Sequence, residues 1–287
     1  MAATTTNPGP GKHLFTIPIP PLGPHPGGAI VATEPRPKVY LLTFTSPPDN
    51  RLTTASCDAL LDALDMIEFG GYEPGVVVTT SGIPKFYSNG LDLEHAISTE
   101  GFMDGKLYRV FLRFLTYPMP TIALMNGHAF AAGMMLAMHH DYRVMNPSKG
   151  FACINELDFG VPLKPAMSSI FRLKTPPHIY RKLVLEAHRF PGPEAAQVGL
   201  VDRAGGLDEV FKLIDELKLT GKAKTGIYGL LKAEMYRESV ALLSKEGHEA
   251  EERKEKERAR SEEERREKGE KRVEELRRMG VEKNSKL

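Results

Sequence analysis

The stretch PTIALMNGHAFAAG, residues 120–133, followed by MMLAMH up to His139, decides the fold of this chain. Its first half, Pro120–Asn126, is a short apolar run of strand length. Asn126-Gly127 supplies a turn, and Ala131–His139 is small and apolar enough for a short buried helix. A strand that leads through a glycine turn into a helix is the unit of an α/β core.

The same alternation runs outward in both directions. Upstream, Lys38–Thr45 (KVYLLTFT) and Gly75–Thr80 (GVVVTT) read as buried strands. Between them, Thr54–Glu68 puts Leu60, Leu64 and Ile67 on one helical stripe. Downstream, Asp141–Met145 (DYRVM) is another strand. Helices are expected near His178–His188, Glu194–Gly199, Asp208–Leu217 and Ile227–Ser244. No repeat suggests a solenoid.

Composition narrows the function classes. The chain has 287 residues, 41% hydrophobic and 26% charged, enough for an ordinary globular core. Thirty-eight Lys and Arg against 37 Asp and Glu leave a formal charge of +1, without the basic excess of a nucleic-acid binder. Only two cysteines are present, Cys57 and Cys153, which excludes a disulfide scaffold and a four-cysteine zinc module. No apolar run is long enough to span a membrane.

The two ends differ in character. Residues 1–37 are rich in Pro and Gly and read as an irregular arm. The apolar piece Leu14–Ile19 is interrupted by Pro18 and followed by Pro20, unlike a secretory signal. The first arginine is Arg36, late for a mitochondrial presequence. Residues 38–206 read as the core and 207–244 as a C-terminal helical region. Residues 245–287 form a charged tail, in which pairs such as Glu251–Lys254 and Glu262–Arg266 favour an exposed helix. The tail closes on Ser285-Lys286-Leu287, the tripeptide of the peroxisomal import signal, so import-receptor binding and a peroxisomal location are expected.

Chemistry emerges first by elimination. No G-x-G-x-x-G or G-x-x-x-x-G-K-[ST] loop and no G-x-S-x-G elbow is present. His139, His140 and Asp141 are consecutive, so their side chains diverge by about 100° per residue along a helix and suit helix-end hydrogen bonds better than one metal ion. Cys153 has no basic neighbour in sequence and reads as a small buried hydrophobe. Two turns remain, FYSNGLDL (86–93) and NGHAFAAG (126–133). By spacing alone they are ordinary glycine turns; if they converged, each would offer a backbone N–H to an oxyanion.

In order and spacing, Asn50-Arg51-Leu52, FYSNGLDL, PTIALMNGHAFAAG, HDYRVM, NELDFGVP and PEAAQVGLVD resemble the enoyl-CoA hydratase/isomerase (crotonase) superfamily over about residues 38–206. That resemblance implies a crotonase-like spiral of ββα turns with C-terminal helices, assembled as a homotrimer or a hexamer. It also implies acyl-CoA thioester chemistry through an enolate, with no cofactor or metal. Carried over by position, the oxyanion donors are the N–H groups of Leu91 and Ala132, the latter where the family usually has glycine. Asn89 and Arg51 fall where CoA is contacted. Family hydratases use two glutamates. The first falls on Met135, which transfers no proton; the second falls on Glu156, and Asp158 is a reserve.

One carboxylate suits an isomerase, which takes a proton from C2 and returns it at C4. NELDFG is similar to the Δ3,Δ2-enoyl-CoA isomerases, including the plant-type peroxisomal branch. Met134, Met135 and Phe159 are expected to line the acyl slot. Two other readings stay open: a hydratase or other thioester-enolate enzyme, and a non-catalytic acyl-CoA-binding or scaffold protein of the peroxisome.

Overall fold

The computed structural model describes residues 10–279. Among these residues, eleven strands form two sheets. They are β1 (Lys12–Ile19), β2 (Gly28–Arg36), β3 (Val39–Thr45), β4 (Val76–Ser81), β5 (Phe86–Ser88), β6 (Thr121–Met125), β7 (His128–Phe130), β8 (Tyr142–Met145), β9 (Phe151–Cys153), β10 (Phe190–Pro191) and β11 (Arg203–Ala204). The larger sheet has the order β1-β2-β3-β4-β6-β8-β11 and the smaller one β10-β9-β7-β5.

Strands β3, β4, β6, β8 and β11 pair in parallel. Such strands are covered on both faces, which explains their continuous apolar sequences. Tyr40, Leu42, Val77, Ala123 and Met125 face the larger core. Their neighbours Val39, Leu41, Val76, Val78, Ile122 and Leu124 face a second layer made by Val210, Leu213 and Ile214 of the helix Leu207–Leu217. The helix Thr54–Phe69 opens with a capping box, Thr53 and Ser56 each bonding the other's backbone N–H, and buries Leu60, Leu64 and Ile67.

The irregular arm expected at residues 1–37 is corrected. Its described part forms β1 and β2, which pair antiparallel with each other, and β2 pairs antiparallel with β3. The prolines misled the sequence reading. Pro18 lies in an edge strand, where a missing N–H is tolerated, and Pro35 lies in the register shift between Thr33 and Arg36. The expected helix over Ile227–Ser244 is two helices, Tyr228–Met235 and Arg237–Leu243. The helices Tyr108–Thr116 and Pro165–Lys174 were not anticipated.

The charged stretch is a helix of 34 residues, Lys245–Arg278, exposed along most of its length. Glu251 pairs with Lys254 at 2.7 Å as its spacing suggests. Glu262 instead pairs with Arg265 at 2.5 Å, and Arg266 with Glu270 at 3.1 Å. The Ser285-Lys286-Leu287 tripeptide lies outside the described residues.

The helix Ala132–His139 is buried at every residue. At its C-terminal end, His139 Nδ1 donates to the Met135 carbonyl at 2.7 Å and the ring stacks on Phe111. His140 Nδ1 donates to the Leu136 carbonyl at 2.9 Å, its Nε2 bonds Thr79 Oγ1 at 2.8 Å, and its ring stacks on Phe114. Burial pushes the His139 pKa down to about 3, so the ring is neutral at physiological pH.

At the other end of this helix Gly133 touches β5. A Cβ there would lie 2.3 Å from the Ser88 carbonyl oxygen and 2.8 Å from Ser88 Cβ. Gly133→Ala is therefore expected to cost about 2–3 kcal/mol, read as a lowered urea midpoint, despite the better helix propensity of alanine.

Candidate active site

The smaller sheet positions the site. Strands β5 and β7 pair in parallel, with Ser88 opposite Ala129, and β7 pairs in parallel with β9, with Phe130 opposite Cys153. Three adjacent strands therefore end at one edge, where α/β sheets collect their ligands. The residues just beyond those ends are Asn89–Leu91, Ala131–Ala132 and Asn155–Glu156. The Ala131 N–H donates to the Cys153 carbonyl at 3.0 Å and ties the second turn to the third.

The first two turns are pressed together. Gly90 has φ +82°, and a Cβ on it would lie 3.0 Å from the Phe130 carbonyl, 3.1 Å from Ala131 Cβ and 3.3 Å from Ala132 N. Only glycine brings the backbones this close in this conformation. Ala131 takes φ 49°, ψ −124°, a strained setting for a residue with a Cβ, immediately before the helix Ala132–His139. Ala132 is the first helical residue, so its N–H has no carbonyl in the helix to reach. Neither its N–H nor that of Leu91 donates to another group of the described residues. Both residues line one cavity, and uncommitted backbone donors of this kind suit an oxyanion.

Glu156 opens a one-turn helix, Glu156–Phe159, that Gly160 terminates in the left-handed conformation. Its Oε2 is buried with no hydrogen-bond partner, as is Asn155 Oδ1 beside it. Desolvation raises the Glu156 pKa from the usual carboxylate range to about 7, against a smaller opposing bond from its own backbone N–H. A carboxyl poised near neutrality is what a general base needs.

Seven of the residues expected from the sequence line one cavity of about 860 Å³: Glu156, Leu91, Ala132, Arg51, Asn89, Met135 and Phe159. That size is ample for a large organic ligand. Met135 is fully buried, whereas Phe159 is 66% exposed at the rim. Met134 is buried in the core, away from the cavity, and Asp158 is exposed outside its lining. Val161 and Met167 extend the apolar wall.

Arg51 and Asn89 are knit together by a residue the sequence reading missed. Asp49 Oδ2 accepts from Arg51 Nε at 3.1 Å and from Asn89 Nδ2 at 2.6 Å. Arg51 Nη1 also donates to the Leu91 carbonyl at 2.8 Å. Arg51 thus braces the first donor turn. Also missed were His25 and Asp92, whose side chains meet at 2.6 Å in the cavity wall. Asp92 was legible only as part of FYSNGLDL; nothing in the Pro/Gly-rich sequence around His25 signalled a site.

Cys153 donates to the Ala187 carbonyl at 3.3 Å, and burial raises its pKa to about 11, so it stays a thiol. No helix among the described residues is long and apolar enough to cross a membrane.

A cavity at a parallel sheet edge, with two uncommitted backbone N–H groups and one desolvated carboxyl, is a class of site suited to an anion beside a proton-transfer group. The particular family follows from comparison. The family model described as enoyl-CoA hydratase/isomerase matches residues 34–281, and the chain belongs to that family. It is 32% identical over 215 residues to the peroxisomal enoyl-CoA delta isomerase 1 of Arabidopsis thaliana, covering 71% of this chain and 89% of the relative. It is 31% identical over 223 residues to enoyl-CoA delta isomerase 3 of the same plant, covering 73% and 93%. The fold matches the crystal structure of an enoyl-CoA hydratase from Mycobacterium ulcerans with a TM-score of 0.65 at 22% identity, covering 77% of this chain and 98% of the other.

Because the charged form of Glu156 is disfavoured by burial, its contribution to stability is fully present below the unfolded carboxyl pKa and is lost as pH rises through about 7. Glu156→Gln should therefore leave stability unchanged near pH 4 and raise it by about 3 kcal/mol at pH 8. Thermal unfolding of both proteins at the two pH values measures this.

Proposed function

We propose that the protein is a Δ3,Δ2-enoyl-CoA isomerase of fatty-acid β-oxidation. Glu156 removes a proton from C2 of a 3-enoyl-CoA. The electron pair moves onto the thioester oxygen, which accepts hydrogen bonds from the N–H groups of Leu91 and Ala132. The enolate then collapses toward C4, where the same carboxyl returns the proton and gives trans-2-enoyl-CoA. Each backbone donor contributes about 3 kcal/mol to holding the developing anion.

The observation that carries this reading is the single desolvated carboxyl, near-neutral in pKa, in the same cavity as two uncommitted backbone N–H groups. The isomerase names of the Arabidopsis relatives support it independently. Met135 at the other expected acid/base position argues against hydration, which needs one group to activate water and one to protonate carbon. On this reading the substrate is itself the CoA thioester and no cofactor takes part. A peroxisomal location, through the C-terminal Ser-Lys-Leu and its import receptor, is proposed on the same footing, as is a homotrimer or hexamer.

The test is turnover of 3-cis- and 3-trans-enoyl-CoA by the purified chain, beside water addition to trans-2-enoyl-CoA. Isomerisation without hydration is expected. Hydration alone makes the protein a hydratase, and CoA-ester binding with neither product makes it a non-catalytic binder. Glu156→Gln should lower isomerisation by at least about a thousandfold while acyl-CoA binding persists; full activity in that variant removes Glu156 from the mechanism. Since the base acts as carboxylate, kcat/KM should climb with pH, bend near 7 and level off above it.

A further inference from the structure

His25 reaches the cavity from outside the part of the chain that defines the family. The family match begins at residue 34, whereas His25 sits in the turn between β1 and β2. That turn is closed by a reciprocal pair of backbone bonds between Leu22 and His25, each 3.0 Å. Pro24 and His25 from it line the same cavity as Glu156, Leu91 and Ala132.

The partner of His25 is Asp92, the residue directly after the first oxyanion donor. His25 Nε2 meets Asp92 Oδ2 at 2.6 Å, with the two side chains only 12% and 17% exposed. The other carboxylate oxygen, Oδ1, accepts the His95 N–H at 2.9 Å and caps the helix Leu93–Ser98. These two bonds hold Asp92 below the usual carboxylate range, the backbone bond contributing more and the imidazole second. Asp92 is thus ionised, and the shared hydrogen belongs to His25 Nε2.

An ionised carboxylate one residue from a donor that holds an enolate opposes the enolate's charge. Its influence depends on how much of that charge is drawn off by its own donors. The donor turn is also fixed by a small set of bonds: Leu52 N–H to the Gly90 carbonyl at 2.8 Å, Arg51 to the Leu91 carbonyl at 2.8 Å, and His25 to Asp92. We propose that His25 is a positioning residue for the reaction: it anchors Asp92 and draws its negative charge away from the oxyanion donor Leu91. This rests on the enolate reading of the site given above.

The experiment compares His25→Ala, His25→Gln and the double variant His25→Ala with Asp92→Asn, all as full chains checked for native thermal unfolding. Two readouts are taken: kcat and KM for 3-enoyl-CoA, and deuterium exchange at C2 of an acyl-CoA in heavy water, which reports enolate formation directly. His25→Ala should lower kcat and exchange about tenfold with KM within about twofold. His25→Gln, which keeps an N–H donor, should recover most of that loss. Asp92→Asn, which removes the charge yet still caps the helix, should raise kcat when added to His25→Ala. A purely architectural turn would give no such recovery. Unchanged kcat and exchange in His25→Ala overturn the proposal, and so does a double variant no faster than the single one. A wild-type chain that neither isomerises nor exchanges overturns the enolate reading and this inference together.

Discussion

Everything in the cavity depends on the close approach of two backbones at the edge of the smaller sheet. Gly90 and Gly133 leave no room for side chains between the Ser88–Leu91 turn and the Phe130–Gly133 turn. The approach brings Leu91 and Ala132 to one cavity wall, with neither N–H donating to another group of the described residues. Main-chain donors are held by the fold on both sides and need no rotamer ordering to meet a charge. The strained φ of Ala131 is part of the same arrangement, since it turns the chain from β7 into the buried helix within one residue.

Parallel pairing of β5, β7 and β9 then distributes the chemistry. Two strand ends deliver donors and the third delivers the carboxyl, each on a separate segment and each tied to its neighbour by sheet bonds. The larger sheet supports this edge indirectly. Its apolar faces bury the helix Thr54–Phe69 on one side and the helix Leu207–Leu217 on the other. Asn50, at the end of β3's following turn, bonds Ser46 N–H, Ser81 Oγ and the Tyr87 carbonyl, joining the two sheets just behind Asn89.

Strong patterns made most of this legible. The long apolar runs of β3, β4 and β6 and the stripe of Leu60, Leu64 and Ile67 identify themselves by composition and period. The three-residue strands β5, β7 and β9 do not, because so short a segment has no period to detect. Their presence was implied only by resemblance, through FYSNGLDL and NGHAFAAG. Strand β1 was lost for the opposite reason. Proline is a strong breaker in general, yet the edge position of β1 tolerates Pro18. The roles of His25 and Asp49 were invisible because each acts through a tertiary contact, His25 across 67 positions and Asp49 across 40 to Asn89. Glu156 was placed by the resemblance, and the apolar wall expected beside it holds Met135 and Phe159 but not Met134.

The remaining acid/base groups in the cavity sharpen the case for a single shuttle. Besides Glu156, its carboxylates are Asp49 and Asp92. Asp49 receives Arg51 and the Asn89 amide, and Asp92 receives His25 and the His95 N–H. Its two bonds hold Asp92 below the usual carboxylate range, so it stays ionised and has no proton to give. Glu156 differs in that no cation pairs with it, and the desolvating medium around it sets its affinity for hydrogen. A group in that condition takes up and releases a proton near neutral pH with little bias in either direction. Moving a double bond by one position asks for that reversibility, because the same proton must leave one carbon and arrive at another two bonds away. Addition of water asks instead for two groups of opposite readiness, and the fully buried Met135 supplies no second one.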